Sequence, residues 1–146
     1  MDKMFTREKK KVILDRIKKI PIVDTLKMKI KRLSHGYCET RVPRKVDYDG
    51  IFSSFHGGLL LTVADTTSCF AILTMTDPYA DLATTDMNIR FLAPCLTDVT
   101  AKARVIKLGR TMCPVSVELI DDEGRKVAIA QVNYIFLDKK PNRPLY

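Results

Sequence analysis

The chain has 146 residues, 46% of them hydrophobic, with four cysteines, two histidines and a net charge of +8. That length makes one domain with a substantial core. Cys38, Cys69, Cys95 and Cys113 are scattered without a Cys-x-x-Cys pair, and His35 and His56 alone exclude a multi-histidine metal site; no acidic metal loop, signal peptide or membrane span is read either. Unpaired thiols fit a reducing cytoplasm.

The charge is concentrated at the start. Residues 1–32 carry 12 Lys/Arg and 4 Asp/Glu, whereas residues 33–146 carry 13 of each. This basic segment reads as a solvated helix face or as a weak binder of an anionic membrane or phosphate-rich partner. It lacks the aromatic interleaving or helix-turn-helix pattern of a nucleic-acid module.

Taken in order, Thr6 caps a helix over about residues 5–19, with Glu8 in its first turn, and Pro21 stops it. Leu26–Leu33 alternates apolar and basic residues, as a half-buried strand does. A turn carrying His35, read as a surface residue, leads into a second strand, Tyr37–Val42. Residues 43–54 form a loop. His56 to Leu73 is apolar nearly all round and reads as a helix in the middle of the domain. Ala83–Leu92 alternates: Thr85, Met87, Ile89 and Phe91 fall on one face, Thr84, Asp86, Asn88 and Arg90 on the other. Strands follow at Val99–Leu108, Met112–Ile120 and Lys126–Leu137, then a tail from residue 139. The fold class is α+β: an antiparallel sheet of about six strands wrapped around one long helix, with an added N-terminal helix. The segments are a basic helix (1–21), the main domain (22–138) and the tail (139–146). The outer sheet face then needs cover, and pairing of copies through a sheet edge or face would supply it.

The central helix carries the chemistry. Gly57 and Gly58 at its start leave backbone N–H groups approachable, and the positive end of the helix dipole suits a developing negative oxygen. Asp65 is a carboxylate on a buried helix, either structural or functional. His56 and Asp65 are nine residues apart, so they differ by about 180° around the axis and about 13 Å along it. If both act in one reaction, the helix start of one subunit must meet Asp65 of another.

His56-Gly57-Gly58 followed by Asp65, the run Thr85 to Pro94, and the run Val105 to Thr111 occur together in this order. With these three segments the chain resembles hotdog-fold acyl-CoA thioesterases of the phenylacetate-pathway (PaaI-like) branch, over roughly residues 22–138. The resemblance implies a hotdog homodimer, often paired again into a homotetramer. It implies hydrolysis of acyl-CoA with no cofactor, coenzyme A being part of the substrate. Gly57 N–H would polarise the thioester carbonyl. Asp65 of the neighbouring subunit would activate water or act as nucleophile, and Thr84 would lie near that water. His56 would orient the loop or contact substrate. Similar enzymes carry Asn and Gly where this chain has Gly50 and Ser53, so Ser53, Ser54 or Thr84 would stand in for the Asn. The acyl chain would run near Leu61, Phe70 and Phe91, and Arg90, Lys107 and Arg110 would border the CoA phosphates. A hotdog protein that binds acyl-CoA without turnover is the rival reading.

Overall fold

The structure, a computed structural model, describes residues 5–138. The elements are α1 (Arg7–Ile17), α2 (Pro21–Thr25), β1 (Lys29–Ser34), β2 (Tyr37–Val42), α3 (Gly57–Leu73), β3 (Asp81–Phe91), β4 (Val99–Val105), β5 (Met112–Ile120) and β6 (Lys126–Leu137). The strands form one antiparallel sheet in the order β1-β2-β4-β5-β6-β3, and α3 packs across β2 to β6. This is the expected six-stranded sheet around a central helix. The expected tail, 139–146, lies outside the described residues.

Apolar burial explains why α3 is central. Leu60, Val63, Ala64 and the run Phe70 to Leu73 are buried. They meet the inward rows of the sheet: Val99, Ala101 and Ala103 of β4, Val115, Val117 and Leu119 of β5, and Ala128, Ala130 and Val132 of β6. Two buried hydroxyls on α3 bond back along the helix, Thr67 to the Val63 carbonyl and Ser68 to that of Ala64. Thr40 of β2 pairs with Thr67 at 2.7 Å, which ties the helix to the sheet. The outer sheet face is mixed in character. Lys102, Arg104, Ser116, Glu118 and Gln131 lie on it, and Lys126 bonds Glu118 at 3.0 Å. Met112 and Ile129 are exposed on the same face, so it mixes charged and apolar side chains.

The N-terminal segment is shorter in its helix and richer in structure than expected. Thr6 caps α1 by accepting from Lys9 N at 3.1 Å. α1 ends at Ile17, and Pro21 opens a second short helix instead of only stopping the first, because proline suits the first helical position. Leu26 caps α2, so β1 begins at Lys29 and not at residue 26. α1 buries Ile13 and Ile17 and lies over the far end of α3. Lys9 Nζ donates to the Thr74 carbonyl at 3.0 Å, and Arg16 donates to the Pro78 carbonyl at 2.6 Å. Thr74 caps the C-terminus of α3, so the ammonium meets the negative end of that helix's dipole. Part of the basic charge therefore works inside the fold, while Arg7, Lys10, Lys11, Lys18 and Lys19 are exposed.

β3 breaks the strict alternation expected for it. A bulge lies between Thr84 and Asp86: Thr84 pairs with Tyr134, and Asp86 with Asn133. The extra residue shifts the phase. Thr84 therefore joins Met87, Ile89 and Phe91 on the helix side, and Asp86, Asn88 and Arg90 face outward. β3 is also an open edge of the sheet, 11 residues long. The other edge, β1, carries Lys29, Lys31 and Arg32, charges that discourage strand addition. Among the described residues no helix is long and apolar enough to cross a membrane.

Candidate active site

The site has two halves, one at the start of α3 and one two turns further on. At the start, His56 is the N-cap. Its Nδ1 accepts from Gly58 N–H at 2.9 Å, and its own N–H donates to the Tyr48 carbonyl at 2.8 Å. Nδ1 serves here as the acceptor of the cap, which leaves Nε2 facing away from it. Leu59 and Leu60 N–H both bond the His56 carbonyl. Gly57 N–H is the remaining amide of this first turn, with no acceptor among the described residues. Of the two glycine amides that the sequence offers, Gly58 is spent on the cap and Gly57 is open. Both positions are tight: a Cβ on Gly57 would lie 2.8 Å from the Phe91 ring, which would have to shift, and one on Gly58 would lie 3.0 Å from the His56 ring, which would have to give by a few tenths of an ångström.

Gly57 borders a cleft of about 570 Å³, lined also by Phe52, Ser54, Phe55, Leu60, Phe91, Leu92 and Pro94. Among the described residues no charged side chain lines it. Such a cavity suits an apolar acyl group next to one polarising donor. The loop before it is clamped by Arg44, which pairs with Asp49 and donates to the Ser53 carbonyl at 3.0 Å. A side chain at Gly50 would touch the His56 ring at 3.5 Å, so Gly50 lies beside the cap.

Ser53 is exposed and outside the cleft lining, and it adopts a left-handed backbone with φ of 55°. An L-residue is strained there by about 1–2 kcal/mol, which glycine avoids at a smaller entropic cost. Ser53→Gly is therefore expected to raise stability by about 0.5–1 kcal/mol, read as a higher midpoint in chemical denaturation. A lower midpoint would mean that the serine hydroxyl holds the loop.

The second half centres on Asp65, which is half-buried. Its Oδ1 accepts from Thr84 Oγ1 at 2.7 Å and from the Tyr134 hydroxyl at 2.7 Å. The Tyr134 hydroxyl also lies 2.8 Å from the Asp65 carbonyl. Oδ2 receives no hydrogen bond among the described residues. The bulge in β3 makes this possible, since without it Thr84 would face outward. Tyr134 was not picked out from the sequence. The signal was present: β6 points Ala128, Ala130, Val132 and Tyr134 inward, and a buried hydroxyl on an apolar row must find an acceptor. Burial pushes that hydroxyl far above the ordinary tyrosine range, with Asp65 adding to the effect, so it remains a donor.

Cys69 lies one turn beyond Asp65. Burial pushes its thiol up to about 12, opposed by Arg16 and reinforced by Asp65. Burial also pushes Cys113 up to about 11 and raises Cys38 and Cys95. None offers a thiolate nucleophile at neutral pH. The native protein is expected to react only slowly with an aromatic disulfide reagent near pH 8 and rapidly once denatured. A fast-reacting thiol in the native protein would contradict this.

The remaining sequence candidates are placed as follows. Leu61 is half-buried, one turn before Asp65 on the same side of α3. Phe91 lines the cleft. Phe70 is 1% exposed and belongs to the core instead of the cleft. Arg90 borders a different hollow, on the outer sheet face with Asn88, Glu118 and Gln131. Lys107 and Arg110 are exposed in the β4–β5 connection and do not line the cleft. Nor do Asp65 and Thr84: within one chain the two halves of the site stay apart.

The chain belongs to the family described as "Domain of unknown function (DUF4442)", whose profile matches residues 10–135. It is 29% identical over 116 residues to a Saccharolobus solfataricus protein whose name suggests an esterase, covering 79% of this chain and 82% of that one. It is 33% identical over 96 residues to acyl-coenzyme A thioesterase 13 of Homo sapiens, covering 64% of this chain and 66% of that protein. The structure of the E. coli PaaI protein from the phenylacetic acid degradation operon superposes with a TM-score of 0.84 at 17% identity, covering 93% of this chain and 98% of that one. The fold is the hotdog fold, and the expected likeness to PaaI-like proteins is present.

Proposed function

We propose that this protein hydrolyses acyl-CoA thioesters to a free acid and the CoA thiol, at sites built from two copies of the chain. The observation that carries the reading is the division of labour along α3. One end presents a single unspent backbone donor, Gly57 N–H, in an uncharged cleft. The Asp65 face presents a carboxylate with one oxygen anchored and the other open. A thioester needs both an oxyanion donor and an activated water. The thioesterase and esterase names of the relatives support the same chemistry.

In this reading the thioester carbonyl oxygen accepts from Gly57 N–H. Asp65 Oδ2 of the second copy takes a proton from water as the water oxygen bonds the carbonyl carbon. The oxyanion collapses, the C–S bond breaks, and the sulfur leaves with the proton that Asp65 held. The acid and the thiol are released, and the carboxylate is restored. Two surfaces support a second copy. Among the described residues β3 leaves one backbone edge unpaired, and beside it Met87 and Phe91 are 40% and 54% exposed. Leu61, Thr62, Asp65, Thr66 and Cys69 of α3 are also incompletely covered by their own chain.

Gly50 favours a second reading, acyl-CoA binding without turnover, because it offers no side chain where similar enzymes carry Asn. Incubation with phenylacetyl-, medium-chain and long-chain acyl-CoAs, followed by thiol release, separates the two. Release from at least one is expected; tight binding with no release from any would establish the binder.

A further inference from the structure

We propose that Tyr134 is a positioning residue that holds Asp65 ready for proton transfer; this rests on the hydrolase reading above. A carboxylate has two equivalent oxygens and rotates freely unless one is anchored. Here both anchors fall on Oδ1, from Tyr134 at 2.7 Å and from Thr84 at 2.7 Å. Oδ2 is left as the oxygen that meets water. Tyr134 does more than Thr84, because its hydroxyl also lies 2.8 Å from the Asp65 carbonyl. It therefore ties the carboxylate to the backbone of its own residue.

The placement is rigid. Tyr134 and Thr84 are Cα partners on neighbouring strands, and the Tyr134 residue is 5% exposed. A base held by packed strands keeps its geometry better than one held by a loop. The hydroxyl has a single proton, shared between the Asp65 carbonyl and Oδ1, and its reach to Oδ1 is the geometry a positioning role needs. With the hydroxyl removed, Thr84 alone holds Oδ1, and the carboxylate samples orientations in which Oδ2 turns from the water.

The test is Tyr134→Phe, which keeps the ring in the core and removes one oxygen. Thiol release should show kcat lower by about 10- to 100-fold with KM within about twofold. In an Asp65→Asn background the same change should cost nothing further, because the tyrosine acts through the carboxylate. Equal kcat in the unaltered protein and the variant, or a loss that persists undiminished without Asp65, overturns this inference alone. An unaltered protein that hydrolyses none of the acyl-CoAs overturns the hydrolase reading and this inference with it. If the variant does not fold, proton NMR of the unaltered protein decides. A slowly exchanging Tyr134 hydroxyl proton whose resonance moves in Asp65→Asn supports the clamp, and its absence contradicts it.

Discussion

Asp65→Asn is expected to lower kcat for thioester hydrolysis by about 10²–10⁴-fold and to leave KM close to its starting value. The amide has nearly the shape of the carboxylate, so the helix and its surroundings are kept. It cannot take a proton from water, nor can it attack the thioester as an anion. Its oxygen still accepts from Thr84 and Tyr134, which would leave the nitrogen in the place of Oδ2. The substitution thus puts a donor where the chemistry needs an acceptor. Thiol release under saturating acyl-CoA measures it, and full turnover in the variant would remove Asp65 from the mechanism.

Phe70→Ala is expected to act on stability instead. Phe70 is among the largest fully buried side chains. Removing such a ring from a packed core costs about 3–5 kcal/mol through lost transfer energy and the cavity left behind. For a chain of this size that lowers the thermal midpoint by roughly 10 °C or more. An acyl-binding residue would instead raise KM for substrates whose acyl group reached it. The helix geometry explains the difference from the sequence expectation. Phe70 is five residues beyond Asp65, about 140° around the axis, and so faces away from it. A calorimetric melt with kinetics on the same sample separates the two. A little-changed midpoint with a raised KM would return Phe70 to the substrate path.

That difference marks where the sequence was legible. Strand alternation and glycine turns placed the β4 to β6 meander, because a half-buried strand writes its period into the chain; the Gly36 turn placed the hairpin of β1 and β2, although β1 starts three residues later than its alternation suggested. The start of α3 was equally plain, from two glycines ahead of a long apolar run. The same run hid its own orientation: a helix apolar nearly all round does not say which side meets the sheet. Leu61 and Phe70 looked alike for that reason. The bulge at Thr85 was silent too, since a Thr-Thr-Asp run reads as unbroken alternation. It reversed the face of Thr84 and brought that hydroxyl to Asp65. Pro21 was read only as a stop, although its ring also suits the first position of α2. Ser53 was read only as a replacement for an expected Gly, and its left-handed backbone is the physical reason glycine would suit that position.

The central claim is that each site takes Gly57 from one copy and Asp65 from another. Mixing two disabled chains tests it most directly. Asp65→Asn removes the base. Gly57→Pro removes the backbone donor at the first helical position, where proline is otherwise tolerated, and displaces the Phe91 ring. Each variant alone should be nearly inactive. Refolded together in equal amounts, half of the dimers would be mixed and each would hold one intact site, so roughly a quarter of wild-type thiol release should return. Recovery at that level is the predicted result. No recovery from a mixture shown by mass to contain mixed dimers would contradict the shared site.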